Sequence, residues 1–249
     1  AARFVAGETI EEAVAAIKKL NEKGIAVTFD HLGEDVDTKE KAVEGAAEYV
    51  RIIEAIDKNK LNSNVSIKLT QMGLGLGADF CAENVTTILE TAKKYGNFVR
   101  IDMEGSDVTQ VTLDVFYKLY EKYPQNVGIV IQAYLYRSEK DVDELIKRKA
   151  TMRLCKGAYK EPKEVAYQKR EVIANYLKLA KKILKSGQYH GIATHDFGII
   201  EEIKKFVKEE KIPNSQFEFQ MLYGIEREAQ ESLVKEGYNM RVYVPYGTE

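Results

Sequence analysis

Phe98-Val99-Arg100-Ile101-Asp102-Met103 reads as a strand, residues 108–122 as an amphipathic charged helix, and Val127-Gly128-Ile129-Val130-Ile131-Gln132-Ala133 as a strand again. A β-rich run, a turn containing Gly or Asp, a helix and another β-rich run make one βαβ unit, with parallel strands and a right-handed crossover. The period extends outward from here in both directions. Further strand-like runs lie at 25–29 and 65–69 upstream and at 151–155, 191–194, 217–221 and 240–244 downstream. Helical patterns separate them at 39–58, 84–95, 138–148, 164–186, 198–210 and 225–236, and one more, at 10–23, precedes the first strand. Its start carries Thr9 with Glu12 three residues on, a capping box. Eight strands in 249 residues is the count of a single-domain, TIM-type (β/α)8 barrel spanning the whole chain, with an extra N-terminal helix. The alternative is an open doubly wound sheet. No helical pattern follows the eighth strand, so the eighth helix is expected to be missing and its position open, exposing apolar surface. The chain starts Ala1-Ala2-Arg3 and stops at Glu249 directly after that strand, and both ends read as cut.

Composition narrows the partners. Hydrophobic residues make up 45% and charged residues 31%, as in a globular protein with a substantial core. The 37 basic and 39 acidic residues give a net charge of −2, so there is no bulk positive field to hold a nucleic acid. No apolar run approaches the roughly 18 residues of a membrane span, and no signal-peptide pattern opens the chain. Two cysteines, Cys81 and Cys155, suit a reducing compartment better than a disulfide framework.

Side chains alternate along a strand, so each run splits into a face toward the helices and a face toward the barrel axis. Val65, Ile67 and Leu69 oppose Ser66, Lys68 and Thr70; Val99, Ile101 and Met103 oppose Arg100, Asp102 and Glu104. Ile129, Ile131 and Ala133 oppose Val130, Gln132 and Tyr134; Met152 and Leu154 oppose Arg153 and Cys155. Phe217, Phe219 and Met221 oppose Glu218, Gln220 and Leu222; Met240, Val242 and Val244 oppose Arg241 and Tyr243. A barrel built for stability alone favours Val, Ile and Leu inside. Unpaired, a buried Lys68, Asp102 or Arg153 costs several kcal/mol. Such residues compensate one another or meet a charged ligand. Lys68, Asp102, Gln132 and Arg153 come late in their strands, near the C-terminal mouth where barrel enzymes place their chemistry.

Gly73-Leu74-Gly75-Leu76-Gly77-Ala78 fits G-x-G-x-x-A, but it follows the second strand and no acidic strand end stands about 20 residues on, so it reads as a barrel loop rather than a dinucleotide fingerprint. Arg153-Leu154-Cys155-Lys156-Gly157-Ala158-Tyr159 sets two cations, a glycine and an aromatic at one strand end, which suits an anion or an electron-rich ring. Ala193-Thr194-His195-Asp196 sets hydroxyl, imidazole and carboxylate together; a phosphate-binding or orienting role fits, and His31 and His190 show no spacing for a metal site. The first strand ends in Asp30-His31-Leu32-Gly33, a polar tip belonging either to the site or to a turn.

Together with Ser66-Ile67-Lys68-Leu69, Ile101-Asp102-Met103-Glu104, Gln132-Ala133-Tyr134, Glu218-Phe219-Gln220-Met221-Leu222-Tyr223-Gly224 and Arg241-Val242-Tyr243-Val244-Pro245-Tyr246-Gly247, these segments resemble the proline dehydrogenase family, in family order on successive strands. The resemblance implies a barrel holding non-covalent FAD, oxidation of L-proline to Δ1-pyrroline-5-carboxylate as the first step of proline breakdown, and a quinone as electron acceptor. It implies residence in the cytoplasm with peripheral contact at the inner face of the cell membrane. It assigns Gln132, Arg153, Lys156, Gly157, Ala158, Thr194, His195 and Gln220 to the cofactor. Lys68 would pair with the substrate carboxylate, Asp102 would sit beside it in the charge network with Arg153, and Tyr159, Leu222 and Tyr243 would wall the substrate ring. No metal is implied. The family's His is usually followed by Asn, whereas Asp196 follows His195 here, adding negative charge near the cofactor phosphates. The family's last glycine leads to a helix with a tryptophan and an Arg-Arg pair, and this chain has neither after Gly247.

Two other readings use the same residues. Lys68 or Lys156, desolvated at a strand end, would suit a Schiff-base aldolase or lyase. A truncated barrel that binds flavin without turnover is the other.

Overall fold

The computed structural model describes residues 4–248; the ends Ala1–Arg3 and Glu249 lie outside them. Among the described residues, strands β1 (Ala26–His31), β2 (Ser63–Ile67), β3 (Val99–Ile101), β4 (Val127–Gln132), β5 (Met152–Cys155), β6 (His190–Ala193), β7 (Phe217–Leu222) and β8 (Asn239–Tyr246) close into a parallel barrel in sequence order. The closing pair runs from Ala26 beside Arg241 to His31 beside Tyr246. Helices α1 (Ile10–Glu22), α2 (Lys39–Lys58), α3 (Ala78–Lys94), α4 (Thr109–Lys122), α5 (Ser138–Lys147), α6 (Arg170–Leu184), α7 (Phe197–Glu209) and α8 (Arg227–Lys235) surround it. The open-sheet alternative is excluded.

The expected faces are the observed ones. Val65, Ile67, Ile129, Leu154, Phe219 and Val242 are all at most 2% exposed between strands and helices. Each such side chain contributes about 1.5–3 kcal/mol by leaving water. Thr9 Oγ1 accepts from Glu12 N and Thr38 Oγ1 from Lys41 N, satisfying first-turn donors of α1 and α2. The Glu12 carboxylate reaches back to Glu8 N rather than to the cap's own N–H.

Three expectations need correction. The position beside β8 is not open: α1 packs on both β1 and β8. Ala13, Val14 and Ile17 face the barrel there, and Met240, Val242, Val244 and Tyr246 are buried. Helix α6 starts at Arg170 instead of 164, because Tyr167 N donates to Tyr134 O and Leu135 bridges Ala166, holding that segment extended against the β4 end. Helix α3 starts at Ala78 instead of 84, directly after the Gly73 loop, whose 3-10 turn Leu74–Leu76 lies between glycines with φ of 90° and 141°.

The barrel axis is polar. At the N-terminal end, Arg241 donates to Glu218 Oε2 at 2.7 Å and to Val27 O at 2.6 Å. Arg100 Nη1 donates to Ile129 O and Thr151 O at 3.2 and 3.0 Å. It passes over Gly128, where a Cβ would stand 2.5 Å from that nitrogen. Burial, reinforced by Arg153, draws the Arg100 guanidinium down to about 9. Glu218, burial notwithstanding, is held below the usual carboxylate range by Arg241.

Candidate active site

A cavity of about 680 Å³ opens at the C-terminal ends of the strands. Lys68, Asp102, Gln132, Arg153, Lys156, Gly157, Ala158, Tyr159, Thr194, His195, Gln220, Leu222 and Tyr243 all line it. These are the residues singled out in the sequence, drawn from β2 through β8 and the turns after them. The apolar part of the wall is Met103, Val130, Ala193 and Met221.

Arg153 is the hub of the floor. Its Nε donates to Gln220 Oε1 at 2.6 Å, Nη1 to Asp102 Oδ1 at 2.5 Å and Nη2 to Ser66 Oγ at 2.8 Å. Ser66 Oγ shares a further hydrogen bond with Thr28 Oγ1 at 2.7 Å, so the hub is braced from β1 as well. Three of the five guanidinium N–H groups are thus committed and two remain. Tyr243 lies under the hub, its ring centroid 5.3 Å from the guanidinium carbon.

Lys68 adjoins this hub. Its ammonium donates to Asp102 Oδ2 at 3.4 Å and to Tyr243 Oη at 3.2 Å, and Asp30 Oδ1 is 3.6 Å away. Tyr243 Oη in turn donates to Asp102 Oδ2 at 2.7 Å. Burial works against the charged form of Lys68, but Asp102 and Asp30 outweigh it and hold the ammonium well above its ordinary range. Burial also opposes ionisation of Asp102, yet Lys68 and Arg153 keep it below the usual carboxylate value. Burial pushes the Tyr159 phenol and the Cys155 thiol each up to about 12. Neither is an acid or base near neutral pH.

Gln132 and Gly157 shape one wall. Gln132 Nε2 donates to Glu104 O at 2.9 Å and its Oε1 accepts from Ala158 N at 3.0 Å, fixing the turn after β5. Gly157 has φ of 141°, and a Cβ there would meet the Tyr134 ring at 2.5 Å. The glycine is required by that packing. Tyr134 Oη accepts from Tyr159 N at 3.1 Å and so sets the cap of the cavity.

Next to Gly157, Lys156 donates to Asp196 Oδ2 at 2.8 Å, and this hydrogen bond lowers the Asp196 carboxyl. Asp196 Oδ1 also accepts from Ile199 N, capping α7. The extra negative charge at this position is therefore neutralised within the protein. His195 Nε2 accepts from Leu222 N at 3.0 Å, and burial lowers the imidazole's proton affinity, so it is a neutral ring protonated at Nδ1.

Reading the sequence left Asp30 unassigned and gave Ser66 no role. Both belong to the floor's network, and the signal was the same alternation, Thr28 and Asp30 facing inward on β1 and Ser66 on β2. Cys155 and Asp196 line the cavity beside residues already chosen. Among the described residues, no cluster of three or more His, Cys, Asp or Glu side chains is arranged to hold a metal ion.

A closed parallel barrel whose strand ends converge on a charged, ring-walled cavity is the build of a barrel enzyme. A family model described as "Proline dehydrogenase" matches residues 13–249. Proline dehydrogenase 2 of Bacillus subtilis (strain 168) is 47% identical over 250 residues, which span 100% of this chain and 82% of that protein. Proline dehydrogenase of Deinococcus radiodurans is 44% identical over 254 residues, with the same two shares. The crystal structure of proline utilization A (PutA) from Bdellovibrio bacteriovorus inactivated by N-propargylglycine superposes with a TM-score of 0.92 at 26% identity, covering 99% of this chain and 31% of that one. The chain belongs to the proline dehydrogenase family and is an oxidoreductase by that membership.

Proposed function

We propose that this chain oxidises L-proline to Δ1-pyrroline-5-carboxylate using non-covalent FAD, which supplies a hydride acceptor at flavin N5 when bound, and that its electrons pass to a quinone in the first step of proline breakdown. The observation that carries the proposal is the Lys68 ammonium on the floor of a cavity walled by Tyr159, Leu222 and Tyr243. A carboxylate needs such a cation, and an aliphatic ring needs such a wall. The donor set also suits a flavin. Among the described residues two Arg153 N–H groups have no hydrogen-bond partner, and Lys156 lines the same cavity as the apolar side chains of Met103, Val130 and Met221. Cations beside a ring that gains electrons stabilise the negative charge that develops.

The chain's own residues do the positioning. Lys68 holds the substrate carboxylate and so fixes which ring carbon faces the cofactor. Tyr159, Leu222 and Tyr243 exclude water and confine the ring. Gln132, Gly157, Ala158, Thr194, His195 and Gln220 would hold the cofactor in register with it. The substrate amine must be neutral to release hydride. Lys68 and Tyr159 both already carry their protons near neutral pH, so neither is available as a base for it. Cytoplasmic residence and peripheral contact with the inner membrane face accompany the quinone proposal. They rest on family resemblance, and no described helix is long and apolar enough to cross a membrane.

The aldolase reading requires a neutral lysine. Lys68 is held as ammonium by two carboxylates, and Lys156 is paired with Asp196. The test is an absorbance spectrum of the purified protein, repeated after anaerobic addition of proline. Flavin bands that bleach establish cofactor, substrate and reaction together. Bands that persist leave a flavin-binding barrel without proline turnover. A colourless protein that takes up no added FAD overturns the proposal.

A further inference from the structure

Four charged groups, Lys68, Arg153, Asp102 and Asp30, meet at the cavity floor and just behind it. Asp102 is shared by Lys68 at 3.4 Å and Arg153 at 2.5 Å and accepts from Tyr243 at 2.7 Å. Asp30 has Lys68 as its ion-pair partner, at 3.6 Å, and a long contact of 3.4 Å from Tyr49 Oη. It is 2% exposed and sits behind the lysine, outside the cavity lining. Two carboxylates and two cations make the floor neutral before anything binds.

A substrate carboxylate arriving at Lys68 is a third negative charge around one ammonium in a medium of low dielectric. Like charges this close do not all remain ionised, and a proton goes to the carboxylate held least well. Asp102 keeps Arg153 and the Tyr243 hydroxyl when Lys68 turns to the substrate. Asp30 keeps neither cation.

We propose that Asp30 takes up a proton from solvent when a substrate carboxylate settles on Lys68, so that anion binding at this site is coupled to protonation of a buried carboxyl behind the lysine. The proposal rests on the substrate reading given above. No bond other than Asp30 Oδ–H is made.

The surroundings support it. Burial already raises the Asp30 carboxyl; Lys68 pulls it down and Asp102 pushes it up. The anion offsets the Lys68 pull and leaves the push. Facing Asp30 are Lys68 from β2, Asp102 from β3, Tyr243 from β8, Tyr49 from α2 and His31 beside it on β1. Tyr49 and Tyr243 are held far above their ordinary values by burial, and burial lowers His31. None of the three supplies a compensating charge near neutral pH.

The probe is tetrahydro-2-furoate, a ring carboxylate of the size of proline that has no amine proton to lose. Its binding to the flavin-loaded protein is measured by calorimetry at fixed pH in two buffers of different ionisation enthalpy. Proton uptake on binding is expected in the wild type and its loss in Asp30→Asn, which binds the probe as tightly or more tightly. The wild-type affinity for the probe is also expected to fall as pH rises, approaching about tenfold per pH unit. A pH-independent wild-type affinity, binding without proton uptake, or equal uptake in Asp30→Asn each overturns the proposal. The affinity profile needs no variant, so it decides even if Asp30→Asn does not fold. Failure of the wild type to bind the probe at all removes the substrate reading itself.

Discussion

The Gln220 carboxamide is held in one orientation by Arg153: the guanidinium Nε donates to Oε1 at 2.6 Å, which turns Nε2 toward Glu218 Oε2 at 2.8 Å. A flip would set two donors face to face at one end and two acceptors at the other. Glu218 is itself anchored by Arg241 and by the Tyr189 hydroxyl. The floor of the cavity is thus positioned from the far end of the barrel.

Gln220→Leu removes the acceptor of a buried guanidinium N–H and one donor to Glu218. Hydrogen bonds to charged groups contribute about 1.5–3 kcal/mol. FAD affinity and turnover are expected to fall by about tenfold or more on that basis. A flavin titration and steady-state kinetics, run beside a melting curve, check this. A lowered Tm with intact FAD affinity and turnover would make Gln220 a packing residue alone.

Lys68→Ala is expected to raise KM for proline by about 10- to 100-fold, the loss of one charge-assisted contact, while FAD content is retained. Flavin-to-protein absorbance and a proline saturation curve separate the two effects. Wild-type kinetics in this variant would refute the assigned role.

Gly157→Ala forces a Cβ to within 2.5 Å of the Tyr134 ring at a φ of 141°. Backbone strain there and the displaced ring cost about 1–3 kcal/mol each. Because Tyr134 carries Tyr159 N, both Tm and KM should move. Gly75→Ala is the control: nothing lies within 4 Å of its added Cβ. It should stay within about 0.5 kcal/mol of the parent.

His190 predicts an acid limb to stability. Its Nδ1 accepts from Met152 N at 2.9 Å, and burial lowers the imidazole from 6.5 to about 3. The unfolded chain therefore binds the proton first. Stability present above pH 6.5 is lost as pH falls from there toward about 3, at up to about 1.4 kcal/mol per pH unit for one proton. Denaturant midpoints measured across that window should fall less steeply in His190→Gln, although that variant starts less stable at neutral pH. An unchanged slope would mean that other groups carry the limb.

The barrel and its polar interior were legible in the sequence because both follow from local rules. The βαβ period fixes the topology, and the alternation in Ser66-Ile67-Lys68 or Arg100-Ile101-Asp102 separates the two faces without knowledge of partners. What the sequence withheld is set by register around the closed sheet. Nothing in spacing says that Ser66 meets Arg153, 87 residues on, or that Tyr243 donates to Asp102 across the mouth. Sequence alone leaves Asp30 between a site residue and a turn residue, because what decides it is its neighbours, Lys68 and Tyr49, and not its own segment. The cover over β8 was misread for a related reason. The helix that supplies it comes first in the chain, where local reading finds only an amphipathic segment with no declared partner.

That helix also imposes an order on synthesis. The ribosome delivers α1 and β1 well before β8, yet these three share one seam. Until β8 emerges, Ala13, Val14 and Ile17 have no finished surface to cover, and the free edge of β1 has no neighbour on that side. The early part of the chain must wait, exposed, for the late part. The vulnerable moment for this seam is the interval before β8 arrives, and a holdase that shelters α1 and β1 would act there.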